Sequence, residues 1–159
     1  SHPLNKQIAE LPLPMGFSIR YVKGKDEAEQ LVALHRAAFG TSSMTIEYRL
    51  AMMSTPQYIQ KMDLVAVTPN DELAAFCVCG FDDQDKKIGY TDPIGTHPSY
   101  QRIGLGKALT SAGLIALKNA GANTVRLGTS NENIAMQRLA NALGFVCISE
   151  KLWFSKAVS

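Results

Sequence analysis

Apolar residues recur along this chain with two periods, and the changes of period mark its elements. Phe17-Ser-Ile-Arg-Tyr-Val22 alternates and predicts a strand. Ala28, Leu31, Val32, His35, Ala38 and Phe39 recur at helical spacing, giving one apolar face that ends at Gly40. Asp26 with Glu29 is a candidate capping box for that helix. Thr45 is placed to cap a short second helix running to about Met53, and Pro56 interrupts the chain beyond it. Leu64–Thr68 predicts a short strand and Pro69-Asn70-Asp71 a turn. Leu73–Phe81 is a near-continuous apolar run and predicts a central strand. Charged Asp82–Lys87 leads to a strand over Ile88–Thr96, in which Pro93 marks an edge or a bulge.

The second half continues the alternation of types. Leu105, Ala108, Leu109, Ala112, Ile115 and Ala116 share a helix face closed by Gly121. Thr124–Gly128 predicts a strand, and Thr129 with Glu132 a second capping box before a helix over Ile134–Leu143. Phe145–Lys156 holds no turn residues and reads as one final strand. The order β-α-α-β-β-β-α-β-α-β predicts an α/β domain with a mixed sheet, because the middle strands succeed one another by short loops. Residues 1–16, with Pro3, Pro12 and Pro14, are expected to be an extended lead-in or linker, and residues 17–159 the domain.

Composition changes the picture mainly by exclusion. A chain of 159 residues suits one domain. The net charge is +2 and no Lys/Arg block stands out, so no nucleic-acid partner is expected. No apolar run has the roughly 18 residues a membrane span needs, and no signal peptide is read in residues 1–16, so a cytoplasmic location is expected. Cys77-Val78-Cys79 lies in an apolar run and no His pair stands at zinc spacing. Together with Cys147 these read as buried reduced thiols, and no metal is expected.

The candidate chemistry lies in Gln101-Arg102-Ile103-Gly104-Leu105-Gly106, with Lys107 next in the chain. Glycine costs roughly 1 kcal/mol against alanine inside a helix, yet two glycines stand at the mouth of one. A helix N-terminus offers unbonded N–H groups to an anion, and glycines let a phosphate approach without meeting a Cβ. The pattern therefore reads as a diphosphate cradle built on the N–H groups of residues 102–107, with Arg102 and Lys107 adding charge. A dinucleotide fingerprint would need glycine at Leu109, and a Walker loop would need glycine at Gln101 and Ser or Thr at Ala108. Both fail.

Q-x-x-G-x-G, with Thr96-His97-Pro98 before it and Asn133 and Leu143-Gly144-Phe145 after it, resembles the GNAT family of N-acetyltransferases over roughly residues 17–154. The resemblance implies a mixed, mostly antiparallel central sheet with helices on both faces. It implies acetyl transfer from acetyl-CoA to a primary amine of a small molecule or a protein. The CoA pyrophosphate would lie on Gln101, Arg102, Ile103, Gly104, Leu105, Gly106 and Lys107. Pantetheine would run along Ile94, Gly95 and Thr96 through a gap between two splayed strands, with Asn133 near the arm. Asp92 stands at an often acidic strand position and is the candidate general base, acting through water. Tyr90, two residues earlier on the same strand face, either lines the acceptor pocket, packs, or donates a proton.

Two departures from the family pattern stand out. The tyrosine that protonates the leaving thiolate in many members is Ala140 here, so either another donor serves (Tyr90, Tyr48 or water), or the thiolate leaves with little help, or activity is weak or lost. Only enough chain for one strand remains after Gly144-Phe145, so the family's final strand is expected to be missing. A homodimer partner or a second GNAT domain would then cover the edge. An alternative reading is a catalytically idle acyl-CoA-binding module. His35 is expected to be a packed core histidine and His97 structural, while Met44, Met52 and Met53 flank Tyr48 on the acceptor side.

Overall fold

The computed structural model describes residues 11–129, 133–147 and 153–158. In chain order the elements are β1 (Ser18–Tyr21), α1 (Ala28–Phe39), α2 (Ile46–Met53), β2 (Asp63–Val67), β3 (Leu73–Phe81), β4 (Ile88–Thr96), α3 (Leu105–Asn119), β5 (Thr124–Gly128), α4 (Ile134–Ala142), β6 (Val146–Cys147) and β7 (Trp153–Ala157). The strands form one sheet in the order β1-β2-β3-β4-β5-β7-β6. Every pairing is antiparallel except β4 with β5. The expected mixed α/β architecture is the one observed.

Two apolar clusters cover the two faces. On one, Leu105, Leu109, Leu114 and Leu117 of α3 pack on Cys77 and Cys79 of β3 and on Val125 and Leu127 of β5. On the other, Leu31 and Leu34 of α1 and Met53 of α2 pack on Val65, Val67 and Phe76. The helix–strand approach on the α3 side is close. A Cβ at Gly113 would stand 2.7 Å from Cys79 Sγ, so glycine there admits the thiols. Cys77 and Cys79 are free and buried, with their sulfurs 3.6 Å apart. The Cys147 side chain lies outside the described residues.

Three local expectations are corrected. First, Phe145–Lys156 is not one strand. It holds β6 and β7, paired antiparallel through Val146↔Ser155 and Cys147↔Phe154. β5 offers only Thr124–Gly128 for pairing, so a single twelve-residue strand would overrun its partner, whereas folding back gives β7 a neighbour on each side. The strand expected to be missing is therefore present. Residues 148–152, between the two strands, lie outside the described residues.

Second, Asp26 and Glu29 form no capping box, and no side-chain bond caps that turn. Glu27 does the local work instead. Its buried carboxylate accepts the Lys23 N–H at 2.6 Å and both arms of Arg20 at 2.9 and 2.8 Å. Third, α4 is capped by Asn133, whose Oδ1 accepts the Met136 N–H at 3.1 Å. Among the described residues the Thr129 hydroxyl has no hydrogen-bond partner, and Glu132 lies outside the described residues. Thr45 does cap α2, accepting the Tyr48 N–H at 3.1 Å.

Candidate active site

The site begins where the sheet opens. β4 and β5 pair only through Ile88↔Thr124, Gly89↔Val125 and Tyr90↔Arg126. Beyond these, β4 runs on to Thr96 and β5 to Gly128 without further pairing to each other. A bulge sets the divergence. Cys77 pairs with Ile94 and Cys79 with Thr91, so Val78 alone faces Asp92 and Pro93. Pro93 supplies no N–H to the ladder, which suits it to that place.

A cleft of about 510 Å³ occupies the opening. Ile94, Gly95 and Thr96 form one wall. Gln101, Arg102, Gly104, Leu105, Gly106 and Lys107 form the floor, and Asn133 with the α4 residues Arg138 and Leu139 the facing wall. Of the predicted cofactor residues only Ile103 is absent from this lining, and its side chain is largely exposed.

The loop conformation fits a bound anion. Arg102 and Gly104 both have left-handed backbones, with φ 65° and 89°. A Cβ on Gly104 would meet no protein atom within 4 Å, so the space beside it is open for a ligand. The first intrahelical bond of α3 runs from Ala108 N to Gly104 O at 3.0 Å, which leaves the N–H groups of its first turn without helical acceptors. Their aligned dipoles and the cations Arg102, Lys107 and Arg138 favour a polyanion. Gly106 serves packing instead: a Cβ there would stand 3.3 Å from Leu139 Cδ1.

Asp92 lies in an adjoining cavity of about 220 Å³ with Thr91, Thr129 and Gly128. The two cavities share Phe39, Ile94, Asn133 and Met136, so the long cleft leads toward the carboxylate. The Asp92 side chain keeps access to solvent, yet it stands in a concave mouth. Desolvation by the surrounding protein raises its pKa above the usual carboxylate range. A base that works near neutral pH needs a shift in this direction.

Tyr90 is placed elsewhere. Its hydroxyl donates to Asp82 Oδ2, and it lines neither cavity. That hydrogen bond, and after it burial, holds its pKa above the usual phenol value. His35 packs, as expected, stacking on Phe76 with ring centroids 5.4 Å apart. Burial, then the nearby Arg49 charge, lowers its pKa. His97 is structural: its Nδ1 accepts the Ser99 N–H at 3.1 Å.

Several residues of the site were missed by sequence reasoning. Ala135, Arg138 and Leu139 face the cleft at i, i+3, i+4 spacing on α4, so helical periodicity carried that signal. Phe39 belongs to the predicted apolar face of α1, and nothing local to it marks a place in the cleft. Asp63, in β2, is wholly buried. It accepts Arg49 Nη2 at 2.9 Å and the Tyr58 hydroxyl at 2.6 Å. This network fastens α2 and the segment after it to the sheet, beside a small pocket lined by His35, Met44, Met52 and Pro93. Among the described residues no three His, Cys, Asp or Glu side chains gather to hold a metal. No described helix is long and apolar enough to cross a membrane.

Comparison with known proteins agrees with this geometry. Residues 28–145 match the model of the acetyltransferase (GNAT) family. Mycothiol acetyltransferase of Arthrobacter sp. (strain FB24) is 34% identical over 148 residues, covering 86% of this chain and 46% of the relative. That of Paenarthrobacter aurescens (strain TC1) is 35% identical over 142 residues, covering 84% and 44%. The chain thus spans about half the length of these relatives. The fold superposes on yncA from Salmonella typhimurium, a putative acetyltransferase solved with acetyl-CoA, with TM-score 0.70 and 19% identity over 91% of this chain and 95% of that one. It also superposes on YhbS from Escherichia coli, solved with CoA, with TM-score 0.74 and 15% identity over 95% and 86%. This chain belongs to the GNAT acetyltransferase family.

Proposed function

We propose that this chain is an acetyl-CoA-dependent N-acetyltransferase acting on a primary amine. The observation that carries the reading is the continuous path from the α3 N-terminus, along the unpaired edge of β4, to Asp92. The floor residues Arg102–Lys107 bind the pyrophosphate through backbone N–H groups and rim cations. Pantetheine takes the place of a strand along Ile94, Gly95 and Thr96. Asn133 caps α4 with its carboxamide oxygen, which leaves its NH2 as the group to face the arm.

Acetyl-CoA supplies the acetyl group as an activated thioester. Asp92 takes a proton from the incoming ammonium or amine through a water, and attack then forms the C–N bond as the C–S bond breaks. Tyr90 has its hydroxyl committed to Asp82 and Tyr48 lines neither cavity, so the thiolate leaves without either tyrosine as donor. A CoA-type thiol of pKa about 8.5–10 can do so at modest cost. The relatives are named for mycothiol, which favours a small-molecule acceptor over a protein amine.

A second reading, a catalytically idle acyl-CoA-binding module, is favoured by one observation: Ala140 is fully buried in the α3-side core, so no donor stands at that position. Calorimetry with acetyl-CoA tests both readings. Wild-type protein is expected to bind with micromolar Kd, about −8 kcal/mol. Gly104→Asp, which puts a carboxylate into the open space of the cradle, is expected to abolish binding while the fold survives. A screen of amines with detection of released thiol then separates enzyme from module. A folded wild type that binds no acetyl-CoA would sink both readings.

A further inference from the structure

We infer that Thr129 is a catalytic residue, its hydroxyl donating a hydrogen bond to the carbonyl oxygen of the bound thioester; this rests on the acetyl-CoA reading above. Two threonine hydroxyls on the described part of the molecule are shut off from solvent and lack any hydrogen-bond partner: Thr91 Oγ1 and Thr129 Oγ1. Orphaned buried hydroxyls are uncommon in native proteins, so each asks for an explanation, and a bound ligand supplies one. Both residues line the same cavity, and it is the one that holds Asp92 and Asn133.

The two threonines differ in freedom. Thr91 is wholly buried within β4. A Cβ at Gly113 would lie 3.5 Å from its methyl, so Thr91 is wedged against α3. Thr129 is half-buried and comes just after the last residue of β5, where pairing with β4 has already ceased. A turn about its Cα–Cβ bond moves the hydroxyl from one staggered position to another, and because Thr129 lines the cavity such a turn can present the oxygen to it. The expected capping role is not available to compete, because Asn133 caps α4.

Among thioester atoms the carbonyl oxygen is the fitting acceptor. Thioether-like sulfur accepts weakly until the C–S bond has broken, whereas the carbonyl oxygen accepts at once and gains negative charge as the amine attacks. Thr129 transfers no proton. It holds the oxygen while Asp92 receives the proton and the electron pair of the C–S bond leaves with sulfur. A donor here also fits the absence of a tyrosine at position 140, since a polarised carbonyl lessens the demand on leaving-group protonation.

The test is ¹³C NMR of [1-¹³C]acetyl-CoA bound to the full chain, with affinity measured in parallel by calorimetry. Thr129→Val removes the hydroxyl at constant shape, Thr129→Ser keeps it, and Thr91→Val is the control from the same cavity. The wild-type carbonyl resonance is expected downfield of free acetyl-CoA. It should return toward the free position in Thr129→Val, persist in Thr129→Ser and in Thr91→Val, and all Kd values should stay within about threefold. A Thr129→Val complex with the wild-type resonance overturns the inference while leaving the acetyl-CoA reading intact. Equal displacement by Thr91→Val and Thr129→Val also overturns it, because general cavity polarity would then be the cause. Failure of the wild type to bind sinks the underlying reading instead.

Discussion

Arg49 and Asp63 meet at 2.9 Å with 6% and 1% of their side chains exposed, so an ion pair holds α2 against β2 almost out of reach of water. The Tyr58 hydroxyl, whose pKa is pushed up by burial and by this carboxylate, occupies the second oxygen. Removing one partner of such a pair leaves an uncompensated buried charge, which costs about 3–5 kcal/mol. Asp63→Ala is therefore expected to lower the unfolding midpoint by roughly 10 °C for a chain of this size. Denaturant titration checks it, and a change below about 1 kcal/mol would show that Arg49 finds another partner.

Asp92 is expected to trade stability for activity. Its folded pKa is raised, so stability is full below the carboxylate range of the unfolded chain and is lost as pH rises through the folded value. Asp92→Asn should thus melt above wild type at neutral pH, with the difference closing in acid. The same change should lower kcat by about 10²–10⁴ and remove an acid limb of the rate profile lying above the ordinary carboxylate range. Melting curves across pH and a pH–rate profile on any accepted amine give the two readouts.

Glu27 has the opposite sign. The Arg20 hydrogen bonds, helped by the Lys23 N–H, hold its carboxyl below the usual range. Its contribution is present above the unfolded pKa and fades as pH falls through the lower folded value. Glu27→Gln should destabilise the protein at neutral pH by roughly 1–3 kcal/mol, and the variant and wild-type curves should converge in strong acid.

The sulfur pair predicts protection. Cys77 and Cys79 are buried in the α3 interface, and the neighbouring thiol and burial raise the Cys77 pKa. In a Cys147→Ser background, alkylation of native protein should be slow and should accelerate on unfolding. Gly113→Ala, which sets a methyl 2.7 Å from Cys79 Sγ, should destabilise by about 1–3 kcal/mol through overpacking.

Much of this fold was legible in the sequence because its cues were local. The apolar run of Leu73–Phe81 and the helical stripe behind Gly106 gave β3 and α3 close to their observed limits. The glycine loop also announced its own chemistry, since Gly104 needs a left-handed backbone and open space. The features that escaped notice were decided by partners distant in sequence. Nothing around Asp63 says that Arg49 will reach it. Tyr90 and Asp92 share a face by period, but the bulge after Thr91 sends them to different surroundings. The division of Phe145–Lys156 into β6 and β7 was hidden because no Gly or Pro punctuates that stretch, and the short length of β5 becomes known only once the sheet is assembled.

The early parting of β4 and β5 ties ligand affinity to mechanical integrity. The β4 backbone beyond Tyr90 has a neighbour on its β3 side and none on its β5 side among the described residues. If pantetheine lies there, as proposed, it acts as a surrogate strand and closes a seam between the two halves of the sheet. Binding and folding then draw on the same hydrogen bonds, and at a hundredfold excess over Kd the bound form gains about 2.7 kcal/mol against unfolding. On the acetyl-CoA reading proposed above, the free protein is a sheet built with its zip half open, and the co-substrate is the slider.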